Sequence, residues 1–138
     1  MLLAVLAVSV PAQAVSPGSV DAAIMALAAA TMALDDVIPK ARLESLQKAL
    51  LKAIENTTLG AAECATGTEV KADNRYRYTR GWLLNYKKTL GSVGLGASAL
   101  AAQADAIIAM IDALIAIKCA GDDPPVSTAV FGVGGQPR

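Results

Sequence analysis

The chain has 138 residues, 54% of them hydrophobic and 17% charged, with twelve basic and twelve acidic side chains and no histidine. This length fits a single domain with one core, and the balanced charge gives no general attraction to nucleic acid or another polyanion. Without histidine, imidazole general-base catalysis, Ser/His/Asp triads and ordinary zinc or haem sites are excluded. We therefore predict a protein that is not an enzyme and holds no cofactor or metal.

The first fourteen residues, MLLAVLAVSVPAQA, have the pattern of an export signal. An apolar run of about ten residues precedes Pro11 and the small-x-small sequence Ala12-Gln13-Ala14, which is typical of a cleavage site. This run is too short to span a bilayer. We predict a signal peptide over 1–14 and an exported chain, periplasmic or extracellular, with no integral membrane span after signal removal. A basic region before the run is missing, so an uncleaved apolar anchor is the alternative.

The two cysteines, Cys64 and Cys119, lack Cys-x-x-Cys spacing. In an oxidising compartment such a pair favours a structural disulfide, although two buried free thiols are the alternative. The bridge would close a loop of about 55 residues, which the chain-entropy model associates with roughly 4 kcal/mol of stabilisation.

Hydrophobic periodicity and helix start and stop signals predict four helices, over about 18–35, 38–57, 72–91 and 97–119. The first contains thirteen residues without a charge, which indicates burial on most sides. The second is amphipathic, with Leu43, Leu46 and Leu50 at helical spacing. After it, TTLGAAECATGTEVKAD is interpreted as an irregular connection with at most a short helical turn ending at Cys64.

The third helix contains NRYRYTRGWLLNYKK, residues 74–88, with four of the five aromatic and five of the twelve basic side chains of the chain. At 100° per residue, one side gathers the predicted core positions Tyr76, Thr79, Trp82, Leu83, Tyr86 and Leu90. An adjacent arc gathers Arg77, Arg80, Lys87 and Lys88, with Tyr78 set apart, and these five residues form the candidate binding face.

Because no acid lies between residues 74 and 104, we expect a strong local positive charge at this face. The alternative is that these long side chains cover Leu84 and keep the helix soluble. Gly81, inside the helix, indicates either close approach by another backbone or a plain helical defect.

The last helix is apolar on nearly all sides, which predicts a buried, central position. Asp105 and Asp112 lie on one narrow stripe of it. Without a third ligand, we interpret them as solvated rather than metal-binding. Residues 121–138, rich in proline and glycine, are predicted to be a disordered or extended tail, in which only VSTAVFGV could form a strand.

The order of these helical motifs resembles the small helical modules called FIMAH, which are found in bacterial secreted proteins. The similarity covers about residues 20–117, and Cys64, Cys119 and the middle connection depart from it. It implies an α-helical, noncatalytic module for adhesion or glycan association, and no functional residue carries over. The matching positions are Leu46, Leu50, Ala53, Leu84, Tyr86, Leu90, Ala104, Ile107, Ile108 and Leu114.

The predicted fold is an all-α, up-and-down four-helix bundle that is cross-linked by one disulfide and followed by a flexible tail. The leading hypothesis for function is an exported interaction module that binds an anionic glycan or another exported protein. One alternative is a carrier of apolar small molecules between the alanine-rich first and last helices. Another is a self-assembling extracellular subunit that uses the VSTAVFGV segment.

Overall fold

A computed structural model of the chain describes residues 15–119. Four α-helices make up nearly all of this part, and no strand occurs in it. The predicted signal peptide and the predicted C-terminal tail both lie outside the described residues. The helices are α1 (Pro17–Thr31), which continues as a 3-10 turn (Met32–Leu34), α2 (Lys40–Ala65), α3 (Glu69–Ser92) and α4 (Ala99–Ile117).

Serine side chains begin the first and last helices. At α1, the Ser16 hydroxyl accepts a hydrogen bond from the backbone N–H of Ser19, and the Ser19 hydroxyl accepts one from the N–H of Ser16. At α4, the Ser98 hydroxyl accepts from the N–H of Ala101. Each serine satisfies an N–H group that has no partner inside its helix.

Contacts between side chains show that successive helices run antiparallel. On α2 and α3, Thr57 contacts Thr79 and Glu63 contacts Arg75, so rising numbers on one helix meet falling numbers on the other. The ion pairs of α3 with α4 follow the same rule, and α4 also packs on α1. This is the order of contacts expected of an up-and-down bundle.

The core lies along the axis of the bundle and receives one stripe of side chains from each helix. Each stripe follows the three-four spacing of an amphipathic helix. Two threonine contacts, Thr31 with Tyr86 and Thr57 with Thr79, are buried within this largely apolar interior. The largest fully buried apolar side chains include Ile24, Leu27, Leu46, Leu50, Leu83, Tyr86, Leu90 and Ile111.

The predicted irregular connection over TTLGAAECATGTEVKAD is wrong for most of its length. Helix α2 continues to Ala65 and α3 begins at Glu69, so Thr66, Gly67 and Thr68 alone separate them. Gly60 lies inside α2 under the ring of Tyr76, where an added Cβ would come within 2.5 Å of a ring carbon. The glycine therefore serves close packing between helices rather than a turn.

The predicted central position of the last helix is also wrong. One side of α4 is buried, through Ala104, Ile107, Ile111 and Leu114, while Ala102, Ala106 and Ala109 are exposed. Helix α1 likewise buries one stripe and exposes Ala22, Ala26 and Ala29. Alanine accounts for much of the apolar character of both helices. Because an exposed alanine costs little free energy, the composition of these helices predicts more burial than the structure shows.

A disulfide joins Cys64 on the last turn of α2 to Cys119 just after α4. The two Cα atoms are 5.4 Å apart, and the bridge closes a loop of 55 residues. The predicted pairing is therefore confirmed. The disulfide ties α2 and α4, which are not adjacent in the chain, at the same end of the bundle.

Candidate functional site

Helix α3 separates a buried stripe from an exposed surface, as its pattern predicts. Tyr76, Thr79, Leu83, Tyr86 and Leu90 are buried, and Trp82 is half-buried at the edge of the stripe. The buried positions recur every three or four residues, which leaves the opposite side of the helix free for other contacts.

The Tyr86 side chain anchors α3 to α1 through a short chain of hydrogen bonds. Its hydroxyl lies 2.7 Å from the Thr31 hydroxyl, which itself donates to the carbonyl of Leu27. The phenol therefore donates to Thr31. Burial raises the pKa of Tyr86, and the hydrogen bond with Thr31 lowers it by less. This contact holds the inner side of α3 in place beneath the candidate binding face.

Most of the positive charge predicted for the candidate binding face is engaged in ion pairs. Within α3, Arg77 donates to Asp73 at 2.9 Å. Arg80 donates to Asp112 at 3.1 Å, and Lys87 pairs with Asp105, both on α4. Of the five bases in residues 74–88, only Lys88 makes no ion pair within the described part of the chain. The expected excess of positive charge is therefore largely offset.

These ion pairs also divide the five predicted residues. Arg80 and Lys87 reach toward α4, where they bind acids that we interpreted as a solvated stripe. Tyr78 and Lys88 remain on the outer surface of α3, away from the contact between α3 and α4. Among the described residues, no group of three or more Asp, Glu, Cys or His side chains is placed to hold a metal ion.

A depression lies on the outer surface of α3 where Gly81 has no side chain. Apart from the backbone of α3 itself and the two neighbouring residues, no atom of the described residues comes within 4 Å of the position a Cβ would take at Gly81. Of the two alternatives for Gly81, the plain helical defect therefore fits residues 15–119, and a close approach of another backbone does not. The depression has a volume of about 230 Å³. Its lining combines two aromatic rings, a side-chain amide and a guanidinium, from Tyr78, Trp82, Asn85 and Arg77.

A second depression, of about 410 Å³, lies on the other flank of Gly81 and shares Gly81 and Asn85 with the first. Arg42 of α2 and Lys88 of α3 both line it, and neither makes an ion pair within residues 15–119. We call the two depressions together the Gly81 site. Its remaining lining residues are Leu84, Thr89 and Ser92.

The Gly81 site follows the length of α3 rather than one point on it. Tyr78, Gly81, Asn85 and Lys88 are three or four residues apart and form one exposed row of about 15 Å. A third depression, of about 280 Å³, extends the row beyond Tyr78 and is lined by Glu63, Lys71, Asn74 and Arg75. An elongated ligand suits such a row better than a compact one.

Sequence reasoning missed Arg42, Trp82 and Asn85 as members of this surface. Arg42 comes from another helix, so its place beside Lys88 depends on how α2 packs on α3. Trp82 and Asn85 follow the same spacing as Tyr78 and Gly81, and that spacing was a signal that could have found them.

Comparison with known proteins finds no matching family model, no matching curated protein and no matching solved structure.

Proposed function

We propose that this chain is an exported, noncatalytic helical module that binds an acidic glycan at the Gly81 site. The observation that supports this most is the pairing of the two depressions. One presents aromatic rings and an amide, and the other presents two cations that make no ion pair with any described residue. Both share the uncovered backbone at Gly81.

The aromatic side of the site suits a sugar ring. Tyr78 is 59% exposed, and it lines the smaller depression together with Trp82 and Gly81. A sugar ring has apolar C–H faces that can lie on aromatic rings, while its hydroxyl groups need partners such as the amide of Asn85. Because Gly81 lacks a side chain, a ligand can approach the helix backbone closely.

The cationic side suits a carboxylate or sulfate on the same chain of sugars. Within residues 15–119, Arg42 and Lys88 make no ion pair with an acid, whereas Arg80 and Lys87 do. Charge-assisted hydrogen bonds to an anion are stronger than neutral ones. This local pair can act although the whole chain is neutral, and its effect should weaken as salt rises because screening reaches about 10 Å at 0.1 M.

Two further features support the export and binding parts of the proposal. The Cys64–Cys119 disulfide is compatible with an oxidising compartment. The resemblance to FIMAH modules implies glycan-associated roles for small helical domains. The carrier stays a prediction, since the depressions described above lie on the outer surface of α3 and not between α1 and α4. The tail-mediated subunit also stays a prediction, since VSTAVFGV lies outside the described residues.

The test is retention on an immobilised polyuronate at low salt, with the uncharged methyl ester of the same polymer as a second matrix. We expect Tyr78→Ser to weaken binding to both matrices and Lys88→Ser to weaken binding to the acidic matrix alone, each by about tenfold, or 1.4 kcal/mol. The control is Arg80→Ser with Lys87→Ser, which removes two paired cations of the same helix. Equal retention of wild type and both site variants would overturn the proposal.

A further inference from the structure

We infer that Glu63 makes this surface prefer a glycan that is acidic at one end and neutral beyond it. This preference rests on the glycan binding proposed above and concerns the third depression, of about 280 Å³. That depression adjoins the Gly81 site through Tyr78, which lines both. A ligand that follows the outer row of α3 from Lys88 past Tyr78 therefore reaches Glu63.

The third depression differs from the Gly81 site in that a carboxylate lines it. Glu63 contributes this carboxylate, and no Asp or Glu of residues 15–119 lines the two depressions of the Gly81 site. The other polar groups of the third depression include an ammonium, an amide and a guanidinium, from Lys71, Asn74 and Arg75. Carboxylates and amides accept hydrogen bonds from hydroxyl groups, while ammonium and amide groups donate to them. Such a set of donors and acceptors suits the hydroxyl groups of a neutral sugar.

Contacts on three sides hold Glu63 in place. Arg75 donates from Nε to Oε1 of Glu63 at 3.3 Å. The backbone N–H and the hydroxyl of Thr68 both donate to the carbonyl oxygen of Glu63 at 2.9 Å. The next residue, Cys64, is cross-linked to Cys119. The Glu63 side chain is still 20% exposed, so a ligand can reach a carboxylate that loses little conformational entropy on binding.

The same carboxylate disfavours a second acidic sugar. Two carboxylates placed together repel each other, and an unfavourable contact with the wrong ligand is a common source of specificity. The competing attraction is Lys71, which is exposed and makes no ion pair within residues 15–119. An exposed lysine is a flexible, strongly hydrated point charge, whereas Glu63 is fixed by its contacts. We therefore expect the repulsion from Glu63 to outweigh the attraction of Lys71.

The test is isothermal titration calorimetry at low salt with two oligosaccharides of equal length. One is an oligouronate, in which every sugar carries a carboxylate. The other carries a single uronate at one terminal sugar and is otherwise neutral, and it is made with the uronate at either end. We expect wild type to bind the better of the two singly charged isomers about tenfold more tightly than the oligouronate, because like charges placed together cost free energy.

The variant Glu63→Gln separates hydrogen bonding from simple repulsion. It should tighten binding of the oligouronate about threefold, because the repulsion is gone and Arg75 is released. It should weaken binding of the singly charged ligand about threefold, because hydroxyl groups bind a carboxylate more strongly than an amide. The control is Asp112→Asn, which also removes an acid paired with an arginine of α3, Arg80, but lines none of the three depressions. It should leave the ratio of the two affinities unchanged.

Wild type that binds the oligouronate as tightly as the singly charged ligand, or more tightly, would overturn the inference and leave the proposed function standing. Lys71 would then be an anion-binding residue. A Glu63→Gln variant that shifts both affinities in the same direction would also overturn it, since repulsion alone acts on every anionic ligand. If wild type binds neither ligand, the proposed function fails together with the inference. The wild-type comparison needs no variant, and circular dichroism checks that Glu63→Gln keeps its helices.

Discussion

Gly60 and Gly81 lie inside neighbouring helices and have opposite structural roles. Gly60 is buried under the Tyr76 ring, whereas Gly81 faces open space. We expect Gly60→Ala to lower the free energy of unfolding by about 1–3 kcal/mol, because its Cβ would displace the ring. Urea denaturation measures the change. Unchanged stability would show that α2 and α3 separate easily at this contact.

At Gly81 the same substitution should stabilise the fold. Since the position is helical and nothing obstructs a Cβ, Gly81→Ala is expected to add about 0.5–1 kcal/mol while narrowing the Gly81 site. The matched control is Gly91→Ala, also an unobstructed helical position of α3 but not among the residues that line the site. Both variants should gain stability, and only Gly81→Ala should lose glycan binding.

The buried hydroxyl of Tyr86 should make the free energy of unfolding depend on pH. Burial raises its pKa above the ordinary value of 10.0, so the folded chain holds the phenol proton more tightly than the unfolded chain. Its contribution to stability is therefore complete below pH 10 and is lost as pH rises through the raised pKa. We expect Tyr86→Phe to cost about 1 kcal/mol at pH 7. Urea titrations at several pH values should show this difference shrinking above pH 10, and a constant difference would contradict it.

The disulfide joins the ends of α2 and α4, although its two cysteines are 55 residues apart in the chain. Replacing both cysteines by serine should lower the free energy of unfolding by roughly 4 kcal/mol, since the unfolded chain regains the freedom of that loop. Chemical denaturation with and without a reductant provides the comparison, and reductant should leave the double variant unaffected. Reductant that leaves the wild type equally stable would contradict the predicted role of the bridge.

The sequence predicts the existence of the four helices. It does not predict the full length of α2 or the exposed sides of α1 and α4. Thr57, Thr58 and Gly60 have low helix propensity and therefore favour an end of the second helix near residue 57, but packing overrides that preference and the helix continues to Ala65. Thr57 donates to the carbonyl of Ala53 and is buried against Thr79. Small residues at helical spacing, through Ala53, Thr57 and Gly60, were the signal that the helix continues.

Across the whole molecule, the buried stripe of α3 followed from local periodicity, whereas its surface charge did not. The acids that pair with Arg80 and Lys87 come from α4, so counting charges between residues 74 and 104 overestimated the local field. Arg42 entered the site in the same way, from α2. Contacts between distant segments depend on tertiary packing, which a pattern within one segment does not report.

Binding at the outer row of α3 is the central claim, and a nuclear magnetic resonance titration tests it most directly. Isotope-labelled protein is titrated with a short polyuronate oligosaccharide at low salt. The account predicts shifts at the backbone amides of Tyr78, Gly81 and Lys88 and at the side-chain amide of Asn85, which saturate and which added salt reverses. Absence of shifts, or shifts confined to α1 and α4, would contradict it.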